Sequence, residues 1–104
     1  MKLRTSAIAA SALLAGFGVA FPAAGQDQAA RSLAANCTGC HGPNGISAGA
    51  IPTLAGLERA YIVTAMQEFK AGTRQATVMH QHAKGYTDQE IEVLAQYFSQ
   101  QKRP

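Results

Sequence analysis

Apolar side chains recur at three- and four-residue intervals in three stretches of the chain, the period of a helix that buries one face. Ala30, Leu33, Ala34 and Cys37 fall on one such face, and their spacing predicts a helix over residues 27–40, with Asp27 available to cap its first turn. Leu57, Tyr61, Ala65, Met66 and Phe69 predict a second helix over 57–71, with Glu58, Arg59, Glu68 and Lys70 facing water and Gly72 placed for a left-handed C-terminal cap. The third prediction is 87–101. Thr87-Asp88-Gln89-Glu90 reads as a capping box, in which hydroxyl and carboxylate satisfy orphan amides reciprocally. Tyr86 and Ile91 suit a hydrophobic staple across that cap, and Ile91, Leu94, Ala95 and Phe98 continue the buried stripe. The intervening segments, 41–56 and 73–86, show no period, and the first is rich in Gly and Pro. Nothing alternates as a strand would. The fold class is therefore all-α: three main helices and two long loops, of a length that in a compact domain points to function.

The first 25 residues follow a different logic. Met1-Lys2-Leu3-Arg4 is positive, Ala7 to Phe21 is uncharged and apolar, and Ala23-Ala24-Gly25 supplies small residues around a bond after Gly25. That is the pattern of a secretory signal peptide, and the apolar run falls short of the ~20 residues a spanning helix needs. Residues 1–25 are expected to be cleaved, leaving 26–104 as a single domain in the bacterial periplasm with no stable membrane span. The loss takes Lys2 and Arg4, two of the nine Lys and Arg set against six Asp and Glu, so the mildly basic balance nearly disappears. No basic run or aromatic-interleaved patch remains, which excludes nucleic acid as an expected partner. With 47% hydrophobic and 14% charged residues the chain is not a disordered tail, and two cysteines are too few for a disulfide scaffold. So small a domain usually needs a staple such as a metal or covalent cofactor.

The chemistry lies in Cys37-Thr38-Gly39-Cys40-His41. C-x-x-C-H is the attachment sequence of haem c: two thiols three residues apart form thioethers to the two porphyrin vinyls, and the adjacent His41 can coordinate iron. Thr38 and Gly39 are small enough for the backbone to pass close to the macrocycle. Two other readings compete with this one. A redox dithiol of the thioredoxin kind needs a βαβ context, for which the pattern has no strands. A zinc site using Cys37, Cys40, His80 and His82 departs from the usual His spacing and leaves His41 unexplained.

Iron closed on both faces needs a second axial donor. Met66 falls on the buried stripe and reads as a core filler. Met79 lies in the loop between the second and third helices, where no stripe claims it, and its thioether opposite a histidine raises a haem's potential. His80 and His82 are the rival donors, or surface imidazoles near the haem edge. A ligating His41 also needs an acceptor for its other N–H, and the carbonyl of Pro52, on a backbone stiffened by the ring, is a candidate.

These features together resemble a class I c-type cytochrome: CTGCHG at 37–42, Pro52-x-Leu54-x-Gly56, the helix ending Phe69-Lys70-Ala71-Gly72, the loop methionine, and Leu94-Ala95-x-Tyr97-Phe98. Thr77-Val78-Met79 followed by Ala83-Lys84-Gly85-Tyr86-Thr87 is most similar to the cytochrome subunit of flavocytochrome c sulfide dehydrogenases. The resemblance implies a cytochrome c fold with the first and last helices crossing, one covalent haem c, and His41 with Met79 as the axial pair. It also implies one-electron transfer from an FAD-containing sulfide dehydrogenase subunit to a further acceptor, with any catalysis in the partner. His80 and His82 depart from that family's pattern. The alternatives are a freely diffusing electron shuttle serving an oxidase or reductase, and a haem enzyme or sensor with an open iron site.

Overall fold

The computed structural model describes residues 23–104, together with Gly16, Gly18 and Val19. Most of the segment expected to be a signal peptide lies outside the described residues. Four α-helices follow one another: α1 (Ala23–His41), α2 (Arg59–Ala71), α3 (Met79–Lys84) and α4 (Asp88–Ser99), with one 3-10 turn at Pro43–Gly45 after α1. No strand occurs among the described residues. α1 packs against α4 and the 3-10 turn, and α2 packs against α3 and α4.

α4 is built as the sequence predicts. Thr87 Oγ1 accepts the Glu90 amide at 3.1 Å, and Glu90 Oε2 accepts the Thr87 amide at 2.8 Å, closing the capping box. Ile91, Leu94, Ala95 and Phe98 are all buried, and Phe98 and Ile91 are the largest fully enclosed side chains. Burying each of those two stabilises the fold by about 1.5–3 kcal/mol relative to exposure. Tyr86, just before the cap, packs against the same cluster. Gly72 ends α2 in the left-handed conformation (φ 77°), its amide donating back to the Phe69 carbonyl at 3.1 Å.

Four sequence expectations need correction. α1 begins at Ala23 rather than Asp27, so Asp27 is an exposed residue inside the helix and not its cap. Ala23, Ala24 and Gln26 are helix formers and carry the helix across Gly25. α2 begins at Arg59, and its buried stripe is Ile62 and Met66, with Val63 and Phe69 packed alongside; Tyr61 is exposed. Tyr61 turns outward because its hydroxyl and ring both engage the Arg74 guanidinium. Lys70 does not simply face water: its Nζ donates to the Tyr86 carbonyl at 2.7 Å and to Asp88 Oδ1 at 3.1 Å, tying α2 to the start of α4. Finally, the segment 73–86 is not all loop. Met79–Lys84 is helical, and Ala83 within it is fully buried. With one buried position in a six-residue helix, no periodic stripe announces it.

The core is small and rich in alanine: Ala34, Ala55, Ala83 and Ala95 lie among the buried hydrophobics with Ile62, Met66, Ile91, Leu94 and Phe98. No buried polar side chain interrupts it among the described residues. Small side chains let helices approach closely and bury little area each, so much of the apolar surface stays at the margin. Ile51, Tyr61 and Val78 are 42%, 51% and 54% exposed.

Candidate functional site

The C-terminal turn of α1 carries Cys37, Cys40 and His41. Both cysteines are free thiols, Cys37 half-buried against the core and Cys40 exposed. The chain turns sharply after His41. Gly42 has φ 84° and donates its amide to the Thr38 carbonyl at 3.0 Å. A Cβ there would stand 1.9 Å from the Ile46 carbonyl oxygen, so only glycine fits.

Beyond this turn the loop folds back over His41. The Gly45 carbonyl accepts the amides of Leu54 (2.7 Å) and Ala55 (3.1 Å), and Thr53 Oγ1 accepts the Ser47 amide at 3.0 Å. The loop is then fastened to the end of α4: the Gly56 amide donates to the Phe98 carbonyl at 2.9 Å, and Arg103 Nε donates to the Gly56 carbonyl at 3.0 Å. The carbonyl of Pro52 is thereby held against His41, and Nδ1 of the imidazole donates to it at 2.6 Å. A carbonyl can only accept, so the proton sits on Nδ1 and the lone pair is on Nε2. The Pro52 expectation is met, and His41 presents Nε2 as a free donor for a metal.

The chemistry of the thiols separates the competing readings. Burial pushes the Cys37 thiol above its ordinary pKa. A redox dithiol needs the opposite shift, and usually obtains it at a helix N-terminus, whereas this pair lies at a C-terminal end whose dipole disfavours thiolate. Zinc fares no better: among the described residues no three His, Cys, Asp or Glu side chains converge on one point.

Met79 is the first residue of α3, half-buried against the core beside the same cluster that holds Leu54, Leu57, Val63 and Phe69. Met66 lies inside the core at 9% exposure, as a filler would. The rival imidazoles are placed differently. His80 donates from Nε2 to the Arg74 carbonyl, with its ring edge-on to Phe69 at 6.2 Å between centroids. His82 is exposed and lines a shallow cleft with Leu33, Asn36, Tyr86 and Glu90.

Sequence reasoning missed Arg74. Its guanidinium donates to Glu68 Oε2 and to the Tyr61 hydroxyl, both at 2.9 Å, and lies within 5.6 Å of the Tyr61 and 5.4 Å of the Phe69 ring centroids. The available signal was the spacing of Tyr61 and Glu68, seven residues and about two helical turns apart, which aligns both toward the chain emerging after Gly72.

The donor set fits a covalently held haem. Two thiols a helical turn apart and an imidazole with its second nitrogen fixed by a carbonyl would hold it, and the Met79 thioether, on a separate element, is the candidate second iron donor. The loop that follows His41, Gly42–Leu57, and the segment around Met79, Gln75–Ala83, contain no Asp, Glu, Lys or Arg, which suits an apolar macrocycle.

Comparison with known proteins agrees. A cytochrome c family model matches residues 26–102. The chain is 50% identical over 66 residues to the cytochrome subunit of sulfide dehydrogenase from Chlorobaculum tepidum, covering 64% of this chain and 60% of that protein. It is 39% identical over 90 residues to cytochrome c4 of Azotobacter vinelandii, covering 77% of this chain and 43% of that one. Among solved structures, a cytochrome c4 from Acidithiobacillus ferrooxidans superposes with a TM-score of 0.66 at 31% identity, over 71% of this chain and 49% of that one. The chain thus spans about half the length of these three relatives. With the C-x-x-C-H turn, the all-helical fold and the matched span in agreement, the chain belongs to the cytochrome c family, which binds haem c covalently.

Proposed function

We propose that this chain transfers single electrons through one haem c, attached by Cys37 and Cys40 and ligated by His41 and Met79. The observation that carries the reading is the His41–Pro52 hydrogen bond: it commits Nδ1 and leaves Nε2 as a donor, one residue after the second thiol. When bound, haem would supply a one-electron iron couple, whose potential a thioether ligand would raise. The chain's own residues then do three things. The pinned imidazole keeps one orientation and one tautomer. The exposed apolar side chains of Ile51 and Val78, on the segments that follow His41 and precede Met79, would border the haem and favour the less charged, reduced form. The uncharged segments 42–57 and 75–83 form the rim, so docking there rests on short-range apolar contact rather than long-range steering.

The physiological reading is a periplasmic protein: residues 1–25 direct export, residues 26–104 form the cytochrome domain, and haem is attached after export. Among the described residues, no helix is long and apolar enough to cross a membrane. The partner is an FAD-containing sulfide dehydrogenase subunit, supported by the 50% identity to a protein named as the cytochrome subunit of such an enzyme. The onward acceptor is a further redox protein.

The test is production in a host that matures c-type cytochromes. The mature protein should gain the mass of one haem and show the ferric thioether-to-iron charge-transfer band. Met79→Ala should abolish that band, lower the potential and open the iron to rapid cyanide binding; rapid binding by the unaltered protein would instead mark an open-site enzyme or sensor. From native periplasm a flavin-containing chain should travel with the red protein. Failure to do so, with clearly salt-dependent electron exchange, would identify a diffusing shuttle.

A further inference from the structure

The link between α2 and α3 has few apolar anchors: Thr73, Gln75, Thr77 and Val78 are all exposed. What holds it is polar and centres on Arg74. Its guanidinium is fixed from α2 by Glu68, Tyr61 and the Phe69 ring, and the Thr73 amide donates to the Glu68 carbonyl at 2.9 Å. The Arg74 carbonyl, so placed, accepts the Nε2–H of His80, whose ring packs edge-on against Phe69. The chain of contacts therefore runs from α2 through Arg74 to the residue directly after Met79.

A six-residue helix does not form by itself in water, because one or two backbone bonds cannot offset nucleation. α3 also lacks a side-chain cap at Val78. Ala83 in the core fixes its far end, and His80 fixes its beginning. We propose that His80 is a positioning residue for Met79: bonded to the Arg74 carbonyl and packed edge-on against Phe69, it sets the first turn of α3 so that the thioether is presented in one place. The inference rests on Met79 being the axial donor. It also gives a role to an imidazole that ligand chemistry alone would make a competitor for iron, since the same bond commits its Nε2 elsewhere.

Two substitutions separate the ring from its N–H. His80→Phe keeps an aromatic ring for Phe69 and removes the donor; His80→Gln restores a donor of similar reach. The haem-loaded protein is assayed well below its unfolding temperature, by the intensity of the ferric thioether charge-transfer band and by the rate of cyanide binding. His80→Phe should bind cyanide roughly two- to tenfold faster, the factor that one net hydrogen bond is worth, with a weaker band. His80→Gln should return both toward the parent, and Arg74→Ala should shift both in the direction of His80→Phe. Parent-like rate and band in His80→Phe overturn the proposal. Should that variant not accumulate as holoprotein, Arg74→Ala decides by the same readouts, and an unchanged rate there is equally fatal. A Met79→Ala protein that kept the band would sink the ligand assignment itself, a failure distinct from either of these.

Discussion

The two sides of the site are held by different materials. On the His41 side most of the bonds join backbone to backbone: glycine turns at 42, 45 and 56 close the loop on itself and on the Phe98 carbonyl, Pro52 meets the imidazole through its own carbonyl, and Thr53 and Arg103 add one side-chain bond each. On the Met79 side, surface side chains hold the chain: Arg74 on Glu68 and Tyr61, Lys70 on Tyr86 and Asp88, His80 on Arg74. Loop bonds seated on a fully buried phenylalanine open only with the core beneath them. Exposed ion pairs contribute about 0–1 kcal/mol each and are weakened by salt. The His41 side should therefore be rigid, and the Met79 side should be where the coordination sphere first opens.

The comparison breaks most visibly at Phe98. Its ring fills the space beside Gly45, where a Cβ would come within 2.7 Å, and its carbonyl anchors Gly56. Phe98→Ala should cost about 3–5 kcal/mol in denaturant unfolding. In native-state hydrogen exchange the amides of Leu54 and Gly56 should lose more protection than those of α3; equal loss on both sides would mean that the loop and α3 share one support. Gly42→Ala is the next largest. The left-handed backbone alone costs about 1–3 kcal/mol for a residue with a side chain, and the clash with the Ile46 carbonyl adds to it. This variant should disturb the His41 environment, seen in the imidazole resonances of the holoprotein, and leave the Met79 methyl resonance in place.

The same division governs what could be read from the chain before any coordinates. α4 was legible because its cap, its staple and its buried stripe all lie within a few residues of each other. The His41–Pro52 contact was legible because a ligating imidazole needs an acceptor and the loop offers few stiff ones. In the stripe of α2, the spacing locates Met66 and Phe69 correctly but gives Tyr61 where Ile62 is buried, because Tyr61 counts as apolar in a periodicity although its hydroxyl and ring are engaged at the surface. α3 and Arg74 left almost no local signal. Their contacts join residues 6 to 13 positions apart through polar groups, and hydrophobic spacing does not encode such pairs. The motif located the donors; only the fold shows what holds them.

Two smaller effects sharpen the contrast. Pro52→Ala keeps the carbonyl that His41 uses, so the hydrogen bond and the haem potential should be unchanged. Stability should fall by about 0.4–1 kcal/mol, the entropy the ring removes from the unfolded chain. A clear drop in potential would show that the ring itself, rather than its carbonyl, positions the imidazole.

The smallest effect belongs to the Met79 side. Asp88 accepts from Gln67 Nε2 and Lys70 Nζ, both at 3.1 Å, and these bonds, the Gln67 one first, hold its carboxyl below the ordinary range. A carboxyl depressed in the folded state binds its proton more weakly than in the unfolded chain. It therefore adds stability at pH values above the unfolded pKa, and that contribution is lost as the pH falls through the folded one. Asp88→Asn should destabilise the protein slightly at neutral pH and flatten the acid limb of its stability profile, because that titration is gone. Full exposure of the carboxylate keeps the effect modest, and added salt should shrink the charge-dependent part. Lys70 retains the Tyr86 carbonyl throughout, so α2 stays attached to the start of α4 by that bond even in acid. An acid limb as steep in Asp88→Asn as in the parent would place the relevant titration elsewhere. It would also remove Asp88 from the set of surface contacts that distinguish the Met79 side from the His41 side.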